Sequence, residues 1–221
     1  MSAINESYSG EGYHYLQSVV TKLTGHTDEN QCGTFELDYR VCATDFGEYM
    51  TANLLRPFEM NSSGYVLTPE MMKNVAQPHD KDGKLISQKP ATSVSVARYG
   101  SAGSLMTTAV DFAKFIIEVM HPKPTDAYRL NVASHREMLR PQIDVVPFPV
   151  KASWALGWQI WHLEQGDMIA HGGDIDGWHS ESAFSADRKT GFVILTNSEN
   201  GYPMIWNELL KPLVADFIFP G

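Results

Sequence analysis

Hydrophobic residues recur at helical spacing in the first 150 residues of the chain and at strand spacing after them. A first helix is predicted to follow Tyr8 and to end at Gly25, a residue that commonly terminates helices. The apolar positions on one face of this helix are Leu16, Val19, Val20 and Leu23. Asp45 and Glu48 have the spacing of a capping box and predict a second helix that ends at Pro57.

The most distinct helical pattern lies between Thr108 and Pro122. Thr108 and Asp111 form a second capping box, which predicts where this helix begins. The helix carries one apolar stripe, formed by Phe112, Phe115, Ile116 and Val119. The pattern therefore predicts that these aromatic residues belong to the protein core.

Strand patterns dominate the last third of the chain. Leu156, Trp158 and Ile160 alternate with other residues and predict a strand, and the segment 168–197 predicts a strand, a loop and a hairpin. A last helix is predicted after Asn200-Gly201, with Pro212 as a kink or break. Its apolar positions are Ile205, Leu209, Leu213 and Phe217.

These patterns predict an α+β fold, in which an antiparallel sheet meander is flanked by helices. Residues 1–221 are expected to form a single domain, with helices and loops mainly in 1–150 and strands and a C-terminal helix in 151–221. Residues 60–65 and 78–90 are rich in turn-forming residues and predict surface loops.

The triplet His171-Gly172-Gly173 is the strongest candidate for chemistry. It lies at the edge of a predicted strand, and glycine has no Cβ to keep a ligand away from the backbone. The imidazole beside it is then held where a reaction can occur. A structural alternative stays open, since a lone strand histidine is often a packing residue.

Three motifs in order along the chain carry a resemblance to a known family. They are the segment from Tyr8 to Tyr13, similar to a Tyr-x-Asn motif, the segment from Ser101 to Phe112, and the His-x-Gly triplet at His171. Together they resemble the group of serine hydrolases that contains penicillin-binding proteins, class C β-lactamases and family VIII esterases. The resemblance spans nearly the whole chain except residues 27–44. It implies a β-lactamase/transpeptidase-like fold, present here as its C-terminal part.

The resemblance also implies roles for particular residues. Tyr8 takes the place of the family's general base or proton relay, although Gly10 stands where the motif has Asn. His171, Gly172 and Gly173 line the site, and the backbone N–H of Asp174 is an oxyanion donor. Tyr8 could instead be a half-buried packing residue, and the Asp174 carboxylate could cap a turn. Lys189-Thr190-Gly191 reads as a polar turn that feeds a strand, and we do not assign it to the site.

The family's nucleophile is missing from the sequence. The family acylates the serine of a Ser-x-x-Lys motif, and no serine in the chain has a lysine three residues later. Tyr8 then lacks both the lysine that would favour its phenolate and a serine to deprotonate. A separate pair of His171 with Ser180 or Ser182 has no carboxylate at a recognisable spacing to orient it.

Two hypotheses for the function follow. In the first, the chain is the C-terminal part of a serine hydrolase, inactive alone, that needs a missing N-terminal part or a second chain. In the second, it is a non-catalytic module that binds a ligand or a partner. The expected ligand is a small-molecule ester, amide or β-lactam-like compound. Esters or peptides are slightly favoured, because a neutral imidazole anchors a carboxylate less strongly than an ammonium group does.

Composition limits the other partners. The formal net charge of −9 disfavours nucleic acid and anionic membrane surfaces, which need clustered Lys and Arg. The sequence has no signal peptide and no stretch long enough to span a membrane, so a cytoplasmic location is expected if Met1 is the native start. No cofactor and no metal is predicted. Cys32 and Cys42 can be read as a disulfide or as two free thiols, and their spacing to the nearest histidines fits no zinc motif.

Self-association is the last expectation. In the family, N-terminal and C-terminal elements share one antiparallel sheet. Without the N-terminal elements, an edge strand and apolar helix faces would be uncovered. We therefore expect a homo-oligomer.

Overall fold

The computed structural model describes residues 8–24, 45–87, 100–123, 129–145, 150–187 and 189–215. The described residues fall into two compact units. The described parts of 77–87 and 112–215 belong to one, here called the sheet unit, and residues 8–24, 45–76 and 100–111 belong to the other, here called the helical unit.

The sheet unit is built on a six-stranded antiparallel meander with the strand order β1-β2-β3-β4-β5-β6. The strands are β1 Ile143–Val145, β2 Ala152–Trp154, β3 Gln159–Leu163, β4 Gly166–Ile175, β5 Trp178–Ser185 and β6 Gly191–Thr196. The predicted fold class, an antiparallel meander with helices, is confirmed. One boundary differs, since the strand predicted from Leu156 begins at Gln159. Gly157 has a φ of 84°, which turns the chain between β2 and β3 and leaves Leu156 exposed.

Both faces of the sheet carry apolar cores. On one face, the predicted helix forms as α3 Ala109–Met120, and its residues Ile116 and Val119 pack in a cluster with Ile169 and Phe184 of the sheet. The short helix α4 Val132–Met138 contributes Met138 to the same cluster. On the opposite face, the cluster contains Met168, Ala170 and Ala183 of the sheet together with Leu210 of the C-terminal helix.

The C-terminal helix, α5, is helical throughout but changes its winding. It consists of an α-helical turn Gly201–Met204, a wider π-helical segment Ile205–Leu209 and a second α-helical turn Leu210–Leu213. The wide segment comes directly before the turn that contains Pro212. Proline has no backbone N–H to donate, and its ring clashes with the preceding turn of an ordinary α-helix. The predicted irregularity at Pro212 is therefore accommodated by wider winding upstream. Phe217 lies outside the described residues.

The helical unit contains the first two predicted helices. These are α1 Gly10–Thr24 and α2, which covers residues 45–50 and continues as a π-helical segment Thr51–Leu55. The buried face of α1 is not its apolar stripe: Leu16 and Leu23 are 49% and 81% exposed, while the buried side chains are the polar ones His14, Gln17 and Thr21. The helix exists where the spacing predicted it, but with the opposite face inward.

The polar face of α1 is tied to a later loop of the same unit. The Ser101 hydroxyl donates to the carbonyl of Tyr13 at 2.6 Å, and the Ser101 backbone N–H donates to Oε1 of Gln17 at 3.0 Å. These hydrogen bonds explain why a buried glutamine is tolerated on this helix. The segment from Ser101, which carried part of the family resemblance, therefore packs on the helix that follows Tyr8.

A buried carboxylate connects the start of α3 with the segment 60–65. Asp111 is 4% exposed, and its Oδ2 accepts from the backbone N–H of Ser62 at 2.7 Å and from the Ser63 hydroxyl at 2.9 Å. The segment 60–65 is thus only partly a surface loop, because Met60 and Tyr65 are buried. Thr108 caps α3 as predicted, since its hydroxyl accepts from the Asp111 backbone N–H.

Several sequence predictions fall on residues outside the described ranges. They concern Gly25, the pair Cys32 and Cys42, and the remainder of the segment 27–44. Within the described ranges, every helix is too short or too polar to cross a membrane.

Candidate functional site

The segment His171–Asp174 lies where β4 extends past its neighbour β3. Pairing of β4 with β3 ends at Ala170, opposite Gln159, whereas pairing of β4 with β5 continues to Ile175, opposite Trp178. From His171 onward, β4 is therefore paired on one side only, as far as the described strands show. This unpaired edge is called the β4 edge below.

The direction of the backbone groups follows from one hydrogen bond. The carbonyl of Asp167 accepts from the backbone N–H of Ala186, which is on the β5 side of the strand. In an antiparallel strand, the N–H and C=O groups of one residue face the same neighbouring strand, and those of the next residue face the strand on the other side. By this alternation His171 and Gly173 face β5, and Gly172 and Asp174 direct their N–H groups toward the β4 edge. The N–H predicted as an oxyanion donor thus points away from the paired side of the sheet.

His171 is partly buried beside an aromatic ring. Its imidazole centroid is 5.8 Å from the ring of Trp154 in an edge arrangement. Burial lowers the pKa of His171 below its usual value, and a hydrogen bond with the Gly172 backbone opposes that effect in part. The imidazole is therefore neutral at neutral pH, able to donate one hydrogen bond and accept another but not to act as a cation.

The Ser182 hydroxyl does not form a nucleophile and base pair with this imidazole. The Ser182 hydroxyl donates to the backbone carbonyl of His171 at 3.0 Å, not to its ring. Ser180 lies opposite Gly173 in the strand register. The alternative pairing considered from the sequence is therefore not formed at Ser182.

The two glycines of the triplet make room for side chains of β5. A Cβ added at Gly172 would lie 2.8 Å from Oε2 of Glu181 and 3.2 Å from the Ser180 carbonyl. A Cβ added at Gly173 would lie 2.7 Å from the Ser180 hydroxyl. Packing within the sheet thus already requires glycine at both positions, whether or not a ligand approaches along the β4 edge.

Glu181 is a buried acid that the sequence analysis did not single out. It is 4% exposed, its Oε1 has no hydrogen bond partner among the described residues, and burial raises its pKa to about 7. The sequence carries no local signal for it, because Glu181 stands between two serines and its position opposite Gly172 depends on the strand register. Its burial depends on packing between distant parts of the chain, which the local pattern did not reveal.

The Asp174 side chain pairs across the strands. Its Oδ1 lies 2.8 Å from Nδ1 of His179, and the two residues are register partners on β4 and β5. The carboxylate is exposed whereas the His179 ring is buried against Tyr202 at a centroid distance of 6.0 Å. The carboxylate thus lies against β5, while the Asp174 backbone N–H is directed to the β4 edge.

Tyr8 belongs to the helical unit. It lies two residues before α1, is 57% exposed, and has its ring 6.3 Å from the ring of Tyr13. Ser9 caps the helix by accepting from the backbone N–H of Gly12 at 3.2 Å. The structure thus places Tyr8 at the beginning of a helix, as its motif predicted, with an accessible phenol. His171, Gly172, Gly173 and Asp174 all lie on one strand of the sheet unit.

No metal site is evident in the described ranges, where no three His, Cys, Asp or Glu side chains are grouped to hold an ion. The candidate site therefore consists of backbone N–H groups at the β4 edge, a neutral imidazole and two glycines. Such a set can bind and polarise a carbonyl group.

Comparison with known proteins gives the family. The family model described as Beta-lactamase matches residues 6–210, which is most of the chain. The chain belongs to the β-lactamase family. A human relative, described as Putative beta-lactamase-like 1, is 24% identical over 152 residues. That match covers 68% of this chain but only 29% of the relative, so this β-lactamase-family chain spans less than a third of that protein's length.

Solved structures confirm the fold of this family. A class C β-lactamase matches 96% of this chain with a TM-score of 0.67 at 14% identity, over 58% of its own length. A D-stereospecific amidohydrolase from Streptomyces matches 88% of this chain with a TM-score of 0.64 at 15% identity, over 51% of its length. An octameric penicillin-binding protein homologue from Pyrococcus abyssi matches 79% with a TM-score of 0.59 at 20% identity, over 39% of its length. This β-lactamase-family chain thus has a fold shared with longer proteins.

Proposed function

We propose that this chain provides the substrate-binding strand of a β-lactamase-family serine hydrolase, and that it does not acylate by the family route alone. The Asp174 N–H at the β4 edge, beside neutral His171, would hold the carbonyl of an ester, amide or β-lactam-like ligand. The single observation that carries this proposal is that β4 extends beyond β3 at the His171–Asp174 segment, with backbone donors directed to an unpaired edge.

The family's own nucleophile, the serine of Ser-x-x-Lys, would come from sequence outside these 221 residues. No Ser-x-x-Lys motif occurs among them, and the family members compared above are longer than this chain. A site with an oxyanion donor but no nucleophile can bind a carbonyl compound without forming a covalent bond to it. By the family route, the chain alone would therefore bind such a ligand without cleaving it, and hydrolysis by that route would require the missing serine and lysine.

Tyr8 is proposed separately as the proton relay of the reaction, on the strength of its motif. Its exposed phenol at the start of α1 is compatible with that role. A phenol has a pKa near 10 in water, so it acts as a base only beside a cation such as the missing lysine. Replacing Tyr8 by Phe should then leave ligand binding by the isolated chain unchanged.

The ligand class is supported by the neighbours of the fold. They include a D-stereospecific amidohydrolase, a class C β-lactamase and a protein described as Beta-Lactamase/D-Alanine Carboxypeptidase from Pseudomonas syringae. The neutral imidazole of His171 favours uncharged acyl groups over a β-lactam carboxylate, since it offers no positive charge. We therefore propose small esters and amides as the preferred ligands.

Titration of the ¹⁵N-labelled chain with a short-chain ester and with benzylpenicillin tests this proposal by nuclear magnetic resonance. The amide signals of Gly172 and Asp174 should shift with ligand, with no change in intact mass. Asp174→Pro removes the N–H that would bind the carbonyl and should abolish the shift at Gly172. Asp174→Ala keeps the N–H and is the matched control, because both variants lose the contact with His179. Unshifted amides at these two positions in the folded wild-type chain would contradict the proposal.

A further inference from the structure

Four polar side chains form a continuous hydrogen-bonded chain across the first four strands of the sheet. The Ser153 hydroxyl lies 2.8 Å from Oδ1 of Asp144 and 2.9 Å from Nε2 of His162. Nδ1 of His162 lies 2.9 Å from Oδ1 of Asp167. None of the four belongs to the β4 edge, since Asp167 is four residues before His171 near the start of β4.

The strand register explains why these side chains meet. Asp144 is the register partner of Ser153, and His162 is the register partner of Asp167, so each pair shares a face of the sheet. Ser153 is opposite Ile160, and His162 is two residues further along β3, on the same face. Diagonal neighbours of this kind are within reach of long side chains such as histidine.

The distances match those of a nucleophile, a base and an orienting carboxylate. In a Ser-His-Asp triad the hydroxyl contacts Nε2 of the histidine, and the carboxylate accepts from Nδ1–H and stabilises the imidazolium that forms. Ser153, His162 and Asp167 have this order of contacts, with both separations at 2.9 Å. Such triads are recognised by geometry and not by sequence position, so the spacing of these three residues along the chain does not indicate one.

Asp144 is the fourth group of the chain, and it competes with His162 for the hydroxyl proton of Ser153. The Ser153 hydroxyl has one hydrogen, and here it donates to Asp144. When it does so, Nε2 of His162 can only donate to the serine oxygen, which requires a doubly protonated ring. When the hydroxyl instead donates to His162, the ring can take the serine proton. Asp144 thus favours the arrangement in which the serine is not activated.

The serine is buried beside a short edge strand. Ser153 is 1% exposed, whereas the side chains of His162 and Asp167 are 25% and 46% exposed. Asp144 lies on β1, which is an edge strand of three residues. Short edge elements open locally at a small fraction of the global unfolding free energy. Opening of β1 would withdraw Asp144 from the hydroxyl and leave its hydrogen for His162.

We propose that Ser153, His162 and Asp167 are a latent nucleophilic triad that β1 and Asp144 hold closed. Small uncharged acyl esters are its substrate class, because the hydroxyl is buried and has little room for a larger or charged acyl group. Oγ of Ser153 forms a bond to the carbonyl carbon while its proton passes to Nε2 of His162. The ester's C–O bond then breaks, and the leaving alkoxide takes that proton from His162. Water, activated by the same imidazole, hydrolyses the acyl-serine and restores the hydroxyl.

Labelling with a small alkyl fluorophosphonate tests the triad, since the reagent forms a stable bond to an activated serine and releases fluoride. Peptide mapping of the native chain should locate one slowly formed adduct at Ser153, absent from Ser153→Ala. His162→Gln should slow labelling by about a hundredfold or more, the contribution typical of a general base. Ser134→Ala, which changes an exposed serine on α4, is the matched control and should leave the rate unchanged.

Asp144→Asn separates this role from a purely structural one. Asparagine has nearly the same shape and can donate its amide N–H to the serine oxygen, which leaves the hydroxyl hydrogen for His162. Labelling should therefore become several-fold faster than in the wild-type chain. A network that serves only to hold β1 in place would give no adduct at Ser153 in either protein, and that result in folded samples would overturn the proposal. Ligand shifts at the β4 edge are measured at other residues, so either proposal can fail without the other.

Discussion

Glu181 is a carboxyl group whose environment makes its protonation matter near neutral pH. It lies in the middle of β5 with little exposure, and one of its oxygens packs where a side chain at Gly172 would be. A carboxylate loses hydration energy on burial, and the folded state therefore favours the protonated form. The predicted consequences concern stability and the identity of residue 172.

Stability should fall as pH rises through the acid to neutral range because of Glu181. Its pKa is raised from 4.5 to about 7 in the folded chain, so between these values the folded state binds more protons than the unfolded state. The contribution is greatest below about pH 4.5 and is lost as pH rises to about 7, with an upper limit of about 3 kcal/mol. His171, whose pKa is lowered, has the opposite dependence. Urea unfolding of wild type and Glu181→Gln at several pH values isolates the effect of Glu181, and parallel pH profiles would contradict it.

Gly172→Ala should destabilise the protein by about 1 to 3 kcal/mol, the usual cost of an overpacked site. The new Cβ would meet Oε2 of Glu181 at 2.8 Å, and the buried side chain has little room to move. Thermal unfolding measures the change. Gly10→Ala is the control, since no atom lies within 4 Å of its Cβ position and alanine favours a helix. If Glu181→Ala does not reduce the cost of Gly172→Ala in a double-mutant cycle, Glu181 is not its cause.

At the scale of single residues, the sequence singles out residues by their type but does not show their contacts. His171, Gly172 and Gly173 were selected because a histidine and two glycines at a strand edge are unusual. Glu181 and the hydrogen bonds of Ser153 were missed, because both depend on which strands become neighbours and in which register. Neither can be read from spacing along one strand.

At the scale of elements, regular spacing predicted where helices and strands form but not always how they face. The stripe of α3 packs in the core as its pattern indicated. The apolar stripe of α1 is exposed instead, and its polar side chains are buried against the loop at Ser101. Hydrophobic periodicity identifies a helix through its own residues, whereas the buried face depends on what the rest of the chain places beside it.

Asp111→Ala should cost about 3 kcal/mol, because hydrogen bonds to a charged group contribute about 1.5 to 3 kcal/mol each. It would remove the acceptor of the Ser62 backbone N–H and of the Ser63 hydroxyl. Thr108→Ala removes only the hydroxyl that caps α3 and should cost about 1 kcal/mol. Chemical denaturation compares the two. If both variants lose the same free energy of unfolding, the hydrogen bonds from Asp111 to the segment 60–65 contribute no more to stability than the cap of α3 does.

At the scale of the whole molecule, the fold is that of the β-lactamase family, and the chain covers between about 30% and 60% of the relatives compared above. In the described sheet, β6 is an outer strand, and the segment at His79 pairs only with the residues that follow it, at Ser198. Leu195 on this strand is 39% exposed. An outer strand with apolar side chains favours pairing with another chain.

We therefore predict that the protein self-associates and that Leu195→Lys shifts it toward the monomer, since a lysine on an edge strand opposes pairing. Sedimentation over a range of concentrations measures this. Val110→Lys, at a position 71% exposed on α3, is the control and should not change the distribution. A monomeric wild-type protein at every concentration would contradict the prediction.

The extension of β4 past β3 also determines how fast individual backbone amide protons exchange with deuterium in heavy water. Amides that face β5, at His171 and Gly173, are held in the ladder and should exchange slowly, whereas those of Gly172 and Asp174 face the β4 edge and should exchange quickly. One stretch of strand would then show fast and slow protons in strict alternation. The pattern would mark the boundary between the part of the sheet that carries stability and the part left available to a ligand.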